Sequence, residues 1–199
     1  MKIIDKIVLQ GSIASFREPL KEIEEAIEQS KIIIPPIEKG NGVKPIKIES
    51  IQHLKNNGWI PEHKMNLEGM KAKPLDAHKS FGKTRVGFEW ETGNISSSFR
   101  ALMKLYKAVI EAQIDFGVHV IPSRAFYKYL TDRIGNIREL EPYLDIYKRI
   151  KLPSNACILI IVIEHDKLDP KAPPIPKGLD GMAKKPKKKK ETKKKAKLK

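Results

Sequence analysis

Asp76, Glu89 and Glu91 are the residues whose types and spacing point most directly to chemistry. Asp76 closes the run Lys73-Pro-Leu-Asp76, and the two glutamates flank a tryptophan in Phe88-Glu-Trp-Glu91. On a strand, side chains two residues apart share a face and stand about 7 Å from one another. A third carboxylate from the preceding segment can meet them there. An all-oxygen set of this kind suits a hard cation such as magnesium, completed by water and substrate phosphate. Such a centre hydrolyses phosphodiesters: one metal lowers the pKa of a bound water, and a second, about 3.5–4 Å away, stabilises the leaving oxygen. A solvated strand face would also show alternating glutamates. Trp90 between them argues otherwise, because it makes the opposite face of the strand well buried rather than a marginal edge.

The elements that must hold these groups can be read from periodicity. Residues 84–91 alternate, with Val86, Phe88 and Trp90 on one side and Arg85, Gly87, Glu89 and Glu91 on the other, which predicts a half-buried strand. Gly93-Asn94 breaks it, and the serines at 96–98 offer helix caps. Phe99, Leu102, Met103, Tyr106, Val109 and Ile110 then recur with a helical period. Earlier in the chain, Ser15 with Glu18 forms a capping-box pattern ahead of Phe16, Leu20, Ile23 and Ile27. The sequence further predicts a short strand at 32–34, a turn-rich loop at 40–45, and a short helix from Ser50 to about Gly58. Residues 61–73 are polar and carry no clear signal. Beyond residue 110 a strand is expected at 114–121, a short helix at 124–130, and a helix opened by Asn136 and Glu139 that carries Ile137, Leu140 and Tyr147. The apolar, β-branched run 156–163 reads as a buried strand, with Cys157 a small core residue inside it. Strands alternating with helices imply an α/β fold, a central mixed β-sheet flanked by helices. No internal repeat is present.

Composition bounds the rest. The chain has 199 residues and a formal net charge of +15. Eleven lysines against Glu191 in 183–199 supply ten of those charges. That tail has no apolar run with which to offset its ordering entropy, so it is expected to be disordered. It is either a solvated flap or a non-specific anchor on phosphate, where each lysine displaces a counterion. Residues 1–182 are expected to form one domain, long enough for one sizeable core. A single cysteine forms no internal disulfide and suits a reducing cytoplasm. Asp5 and Lys6 interrupt the first apolar stretch, so no signal peptide is expected, and no apolar run reaches the length of a membrane span. His53, His63, His78, His119 and His165 lack zinc-ligand spacing, which disfavours a zinc site. Ser123 and Ser154 lack a triad context, and no phosphate-cradling glycine loop is present.

The pattern Pro-x-Asp followed by Glu-x-Glu is a loose form of a nuclease signature that usually ends in lysine; Glu91 takes the lysine's place. The run Glu89-Trp-Glu-Thr-Gly-Asn-Ile-Ser-Ser97 then resembles the active-site strand and following helix start of the BamHI restriction endonuclease family. Tyr129-Leu-Thr-Asp-Arg133, Glu139-Leu-Glu-Pro-Tyr143, Gly42-Val-Lys-Pro-Ile-Lys47 and Ile175-Pro-Lys-Gly-Leu-Asp-Gly-Met182 resemble the same family in the same order. The resemblance covers about residues 40 to 182.

It implies a restriction-endonuclease-like (PD-(D/E)xK) core and a homodimer that grips DNA in a cleft, each subunit cutting one strand of a palindrome. Two helices per subunit would build the interface, here the helix near Ser96 and the helix from Ile137. Tyr106 and the 143–147 region then belong either to that interface or to the core. By the same resemblance Asp76, Glu89 and Glu91 are the metal ligands and catalytic set. Glu91 is the general base or orients the attacking water, and Glu62 is a further acid near the metals. Base contacts fall on Asn94, Ser96, Arg100, Asp132 and Arg133, with Asp180 and Gly181 reaching the minor groove and Lys47 near the DNA. The chemistry agrees: arginine forks onto guanine, aspartate accepts from the cytosine amine, and asparagine pairs with a purine edge. The implied cofactor is Mg2+. The implied partners are double-stranded DNA with a GGATCC-like site, a second copy of the chain, and a cognate DNA methyltransferase in the same host.

Two other classes compete. A non-cleaving DNA-binding protein on the same scaffold needs the basic tail and Arg133 but not three carboxylates. A structure-directed repair nuclease needs the metal site but not Asn94 and Asp132-Arg133. A basic structural protein accounts for none of the ordered blocks.

Overall fold

The frame of the protein is a six-stranded mixed sheet, seen in a computed structural model that describes residues 1–69, 74–91, 93–131 and 134–177. In chain order the elements are β1 (Lys2–Gln10), α1 (Arg17–Gln29), β2 (Ile33–Ile34), α2 (Lys44–Asn56), β3 (Ile60–His63), β4 (Leu75–Phe81), β5 (Thr84–Trp90) and α3 (Ile95–Ile110). There follow β6 (Phe116–Pro122), α4 (Arg124–Tyr127), α5 (Ile137–Leu140), α6 (Leu144–Arg149), β7 (Cys157–Glu164) and β8 (Lys167–Leu168). The sheet runs β1-β7-β6-β5-β4-β3, and β2 pairs with β8 in a separate two-stranded ribbon. The central pairs β5–β6 and β6–β7 are parallel, while the outer pairs are antiparallel. The α/β fold with helices flanking a mixed sheet is therefore present as expected.

Both faces of the sheet are covered, which explains why the central strands read as continuous apolar runs. In β7, Leu159, Ile161 and Ile163 pack with Leu20, Ile23 and Ile27 of α1 and with α2. Ile158, Ile160 and Val162 point the other way, to Leu102, Leu105 and Tyr106 of α3 and to Tyr147 of α6. Cys157 is buried in this core as expected. Tyr106 and Tyr147 are buried too, and the Tyr106 hydroxyl donates to the Tyr147 carbonyl at 2.9 Å. Both belong to the core of their own chain, while Tyr143 stands exposed.

Several expectations shift. The strand at 84–91 ends at Trp90 and is buried on both faces rather than one, because α3 covers the side that carries Glu89. The entry to α1 is a short 3-10 turn at Ile13–Phe16 capped by Ser12, whose side chain accepts from the Ala14 N–H; Ser15 is not the cap. Helix α2 begins at Lys44, with Pro45 in its first turn where no backbone donor is missed, six residues before the expected start at Ser50. Asn94, not the serines, caps α3, accepting from the Ser97 N–H at 3.2 Å. The single helix expected from Asn136 is broken into α5, a 3-10 turn at Glu141–Tyr143 and α6, with Pro142 inside the break. Strands β1, β3 and β4 carried no strand expectation.

Candidate active site

Strands β4 and β5 form an antiparallel hairpin whose register ends at the Ala77–Phe88 pair. Beyond that pair the ladder stops, and the side chain of Asp76 takes its place: its Oδ2 accepts the Trp90 N–H at 2.7 Å. The splayed strand ends make a wedge with Asp76 on one side and Glu89 on the other. Two lysines reach in from the flanking helices. Lys47 of α2 ion-pairs with Asp76 Oδ1, and Lys104 of α3 places its Nζ 2.5 Å from Glu89 Oε1. Lys104 also donates to the Pro74 carbonyl at 3.0 Å.

Glu89 is only 7% exposed. Burial pushes its carboxyl up to about 8, against the opposing pull of the Lys104 ammonium; the negative charge of Asp76 pushes in the same direction as burial. Glu89 and Asp76 thus feel one another, and two ammonium groups from α2 and α3 hold the countercharge. Glu91 lies past the end of the strand. Its backbone N–H still donates to Val120, but its carboxylate turns to accept the Gly93 N–H, a donor left over where the chain bends into α3. Glu91 thus lies outside the strand whose alternation predicted a face shared with Glu89. Among the described residues no three carboxylate, imidazole or thiol groups lie close enough to share one ion. Glu62 is exposed on the edge strand β3, with a positive φ of 50°. The pairs Pro61–Ala77 and His63–Leu75 bracket it opposite Asp76.

Lys47, expected near DNA, ion-pairs with the aspartate of the candidate metal site. Lys104 was not singled out in the sequence at all. The signal was present: it falls among Ala101, Leu105 and Ala108 in the apolar stripe of α3, where a lysine needs a partner.

His119 of β6 sits beside Glu89 in register and is completely buried. Neither ring nitrogen has a hydrogen-bond partner among the described residues. Burial, with the nearby Lys104 ammonium adding to it, drives its pKa from 6.5 to about 3. Between those values the unfolded chain binds the extra proton. The stability contribution is thus full above pH 6.5 and is lost as pH falls, at about 1.4 kcal/mol per pH unit. His119→Leu is expected to flatten that part of the curve of unfolding free energy against pH. An unchanged slope would show that the imidazole is not held neutral.

Of the residues expected to read bases, Asn94, Ser96 and Arg100 lie at the start of α3. Ser96 and Arg100 are exposed, and Arg100 donates to Ser97 Oγ at 2.7 Å. Asn94 is exposed as well, with its side-chain oxygen engaged in the cap. Asp132 and Arg133 lie outside the described residues. Past them, the Gly135 N–H donates to the Gly93 carbonyl at 2.9 Å, so the chain returns beside Asn94. Asp180, Gly181 and the lysine-rich stretch 183–199 also lie outside the described residues. The segment leading to them is fixed by buried Asn41, whose Oδ1 accepts the Ile175 N–H at 3.1 Å while its amide donates to the Tyr129 carbonyl at 3.0 Å. The Gly42 N–H donates to Ile175 in turn, and a Cβ at Gly42 would lie 2.0 Å from the Pro176 oxygen, so only glycine fits there.

Comparison with known proteins fits this layout. The profile of the family described as Restriction endonuclease BamHI matches residues 2–182. That match begins well before residue 40, where the motif resemblance started, and it includes β1 and α1. The chain is 43% identical over 191 residues to the type II restriction enzyme OkrAI of Oceanobacter kriegii, covering 92% of this chain and 98% of that one. It is 36% identical over 152 residues to the type II restriction enzyme BamHI of Bacillus amyloliquefaciens, covering 72% of this chain and 68% of that one. Among solved structures, the restriction endonuclease BglII complexed with a DNA 16-mer superposes with a TM-score of 0.56 at 11% identity, over 83% of this chain and 78% of that one. Free BglII gives a TM-score of 0.50 at 12% identity, over 83% and 81%. At such identities the structural likeness speaks to the fold, and the sequence matches speak to the family. The chain belongs to the BamHI family of type II restriction endonucleases.

Proposed function

We propose that the protein is a homodimeric, magnesium-dependent endonuclease that cuts both strands of DNA at a short palindrome of the GGATCC kind. The observation that carries this reading is the pairing of Asp76 and Glu89 at the splayed end of β4 and β5, next to the start of α3. Family membership supports it, as does the relative BglII, whose solved structure is a complex with DNA.

The donor set fits magnesium in kind. The groups are hard carboxylate oxygens, and one or two of them suffice when water and substrate phosphate complete the shell. Cationic groups already face these carboxylates, Lys47 at Asp76 and Lys104 at Glu89. When bound, magnesium activates water and offsets charge on the phosphate. Asp76 and Glu89 are the residues that would hold it, with Glu62 opposite Asp76 as a further acid. Glu91, whose carboxylate accepts the Gly93 N–H, would orient or deprotonate the attacking water.

Specificity would come from Asn94, Ser96 and Arg100 at the start of α3, from Asp132-Arg133, and from Asp180-Gly181 in the minor groove. The dimer has a surface available: Met103 and Ile110 on α3, Tyr143 and Ile146 near α6 stand 47–57% exposed. The two elements meet through Tyr106 and Tyr147 and through Phe99 and Tyr143, so exposed apolar groups on both suit a helical interface. Ile146→Asp is expected to convert the dimer to monomer at micromolar concentration, read by light scattering. A dimer that survives unchanged would move the interface elsewhere. The same reading places the enzyme in the cytoplasm with a methyltransferase that protects host sites. Among the described residues no helix is long and apolar enough to cross a membrane.

Sequencing the ends of fragments made from genomic DNA with magnesium tests the proposal. One palindromic hexamer shared by all ends is expected. Ends without a shared sequence would point to a structure-directed nuclease instead.

A further inference from the structure

Ser96, Arg100 and Lys104 lie on one stripe of α3, at i, i+4 and i+8. The first two face solvent and the third is 8% exposed. At its inner end the Lys104 ammonium makes two contacts that belong to different parts of the site. It lies 2.5 Å from Glu89 Oε1 on β5, and it donates at 3.0 Å to the carbonyl of Pro74, two residues ahead of Asp76. One side chain therefore joins the helix that carries the base-reading groups to both carboxylate-bearing strands. Stability alone does not explain it. Burying an ammonium beside a carboxyl group carries a desolvation cost, and apolar replacements of such pairs are often no less stable. The buried neighbours Ala101, Leu105 and Ala108 show that the part of α3 around Lys104 is otherwise apolar.

We propose that Lys104 is a positioning residue that couples the seating of α3 on its cognate site to the arrangement of Asp76 and Glu89. The coupling rests on the reading that α3 contacts bases and that these carboxylates bind the metal. Free energy passed between two sites is reciprocal. If Lys104 carries it, hard-cation binding tightens cognate DNA more than random DNA, and cognate DNA tightens the cation equally.

The test uses the full-length protein with calcium as the probe cation. Dissociation constants for a GGATCC duplex and a scrambled duplex of equal composition are measured by anisotropy, in EDTA and in calcium. The wild type, K104M and K104R are compared. In K104M the metal-free affinity for GGATCC is expected to stay within about threefold, since the groups on the DNA side are intact. Its calcium-dependent tightening on GGATCC is expected to shrink about tenfold or more, as for lost partners of metal ligands. The scrambled duplex should be unaffected, and K104R should recover most of the effect. If K104M does not fold by thermal melting, K104Q supplies the same comparison. An unchanged calcium factor in the variant, or an equal loss on both duplexes, overturns the coupling. A wild type with no preference for GGATCC, or no response to calcium, overturns the reading beneath it as well.

Discussion

Asp76→Asn is expected to lower the rate of DNA cleavage by about a thousandfold or more, about 4 kcal/mol in the barrier, while specific DNA binding survives. The asparagine oxygen can still accept the Trp90 N–H that closes the strand ends, so the fold should persist. What is lost is the negative charge that now faces Lys47 and that would face magnesium. Single-turnover cleavage of a cognate duplex, run beside binding of the same duplex, separates the two effects. Persistent cutting would remove Asp76 from the metal site. Joint loss of cutting and binding, with an intact thermal transition, would make it a recognition residue.

Arg133→Ala should weaken binding to the cognate site by about 1–3 kcal/mol, the size of one good bidentate contact with guanine. Random DNA should lose little. Arg133 lies outside the described residues, but the flanking chain is tied at both ends: Thr131 donates to the Asn41 carbonyl at 2.7 Å and Gly135 to Gly93 at 2.9 Å. Titrations on cognate and scrambled duplexes at one salt concentration decide the matter. Equal weakening on both would mean that Arg133 grips phosphate and reads no base.

The strands and helices with clean periods were legible in the sequence. β5, β7 and α3 each bury apolar residues at a regular spacing, and the mixed sheet follows from their order. β1 was hidden because it is an outer strand with register shifts between Ile3 and Asp5 and between Val8 and Gln10, so its alternation breaks twice. β3 is an edge strand that contains Pro61 and a positive-φ Glu62, both poor strand signals. β4 carries His78, Lys79 and Ser80 in place of an apolar face, although Gly82 at φ 59° marks the hairpin turn to β5.

At the site, the carboxylates were named from their types and spacing together with the ordered family blocks, since a solvated strand face would also alternate glutamates. Their countercharges were not. Lys47 meets Asp76 across 29 residues, and Lys104 meets Glu89 from the next helix, so only the packing of α2 and α3 against the sheet brings each pair together. The strand alternation that predicted a shared face for Glu89 and Glu91 does not reach Glu91, for a local reason. The strand stops at Trp90, and the Gly93 N–H at the bend offers the Glu91 carboxylate a closer partner.

The most direct test is digestion of two supercoiled plasmids, one with a single GGATCC and one with that hexamer scrambled, with magnesium and with EDTA. The account predicts one full-length linear product from the first plasmid, only with magnesium, and an intact second plasmid. Cleavage of both plasmids, cleavage in EDTA, or tight selective binding to GGATCC without any cut would contradict it.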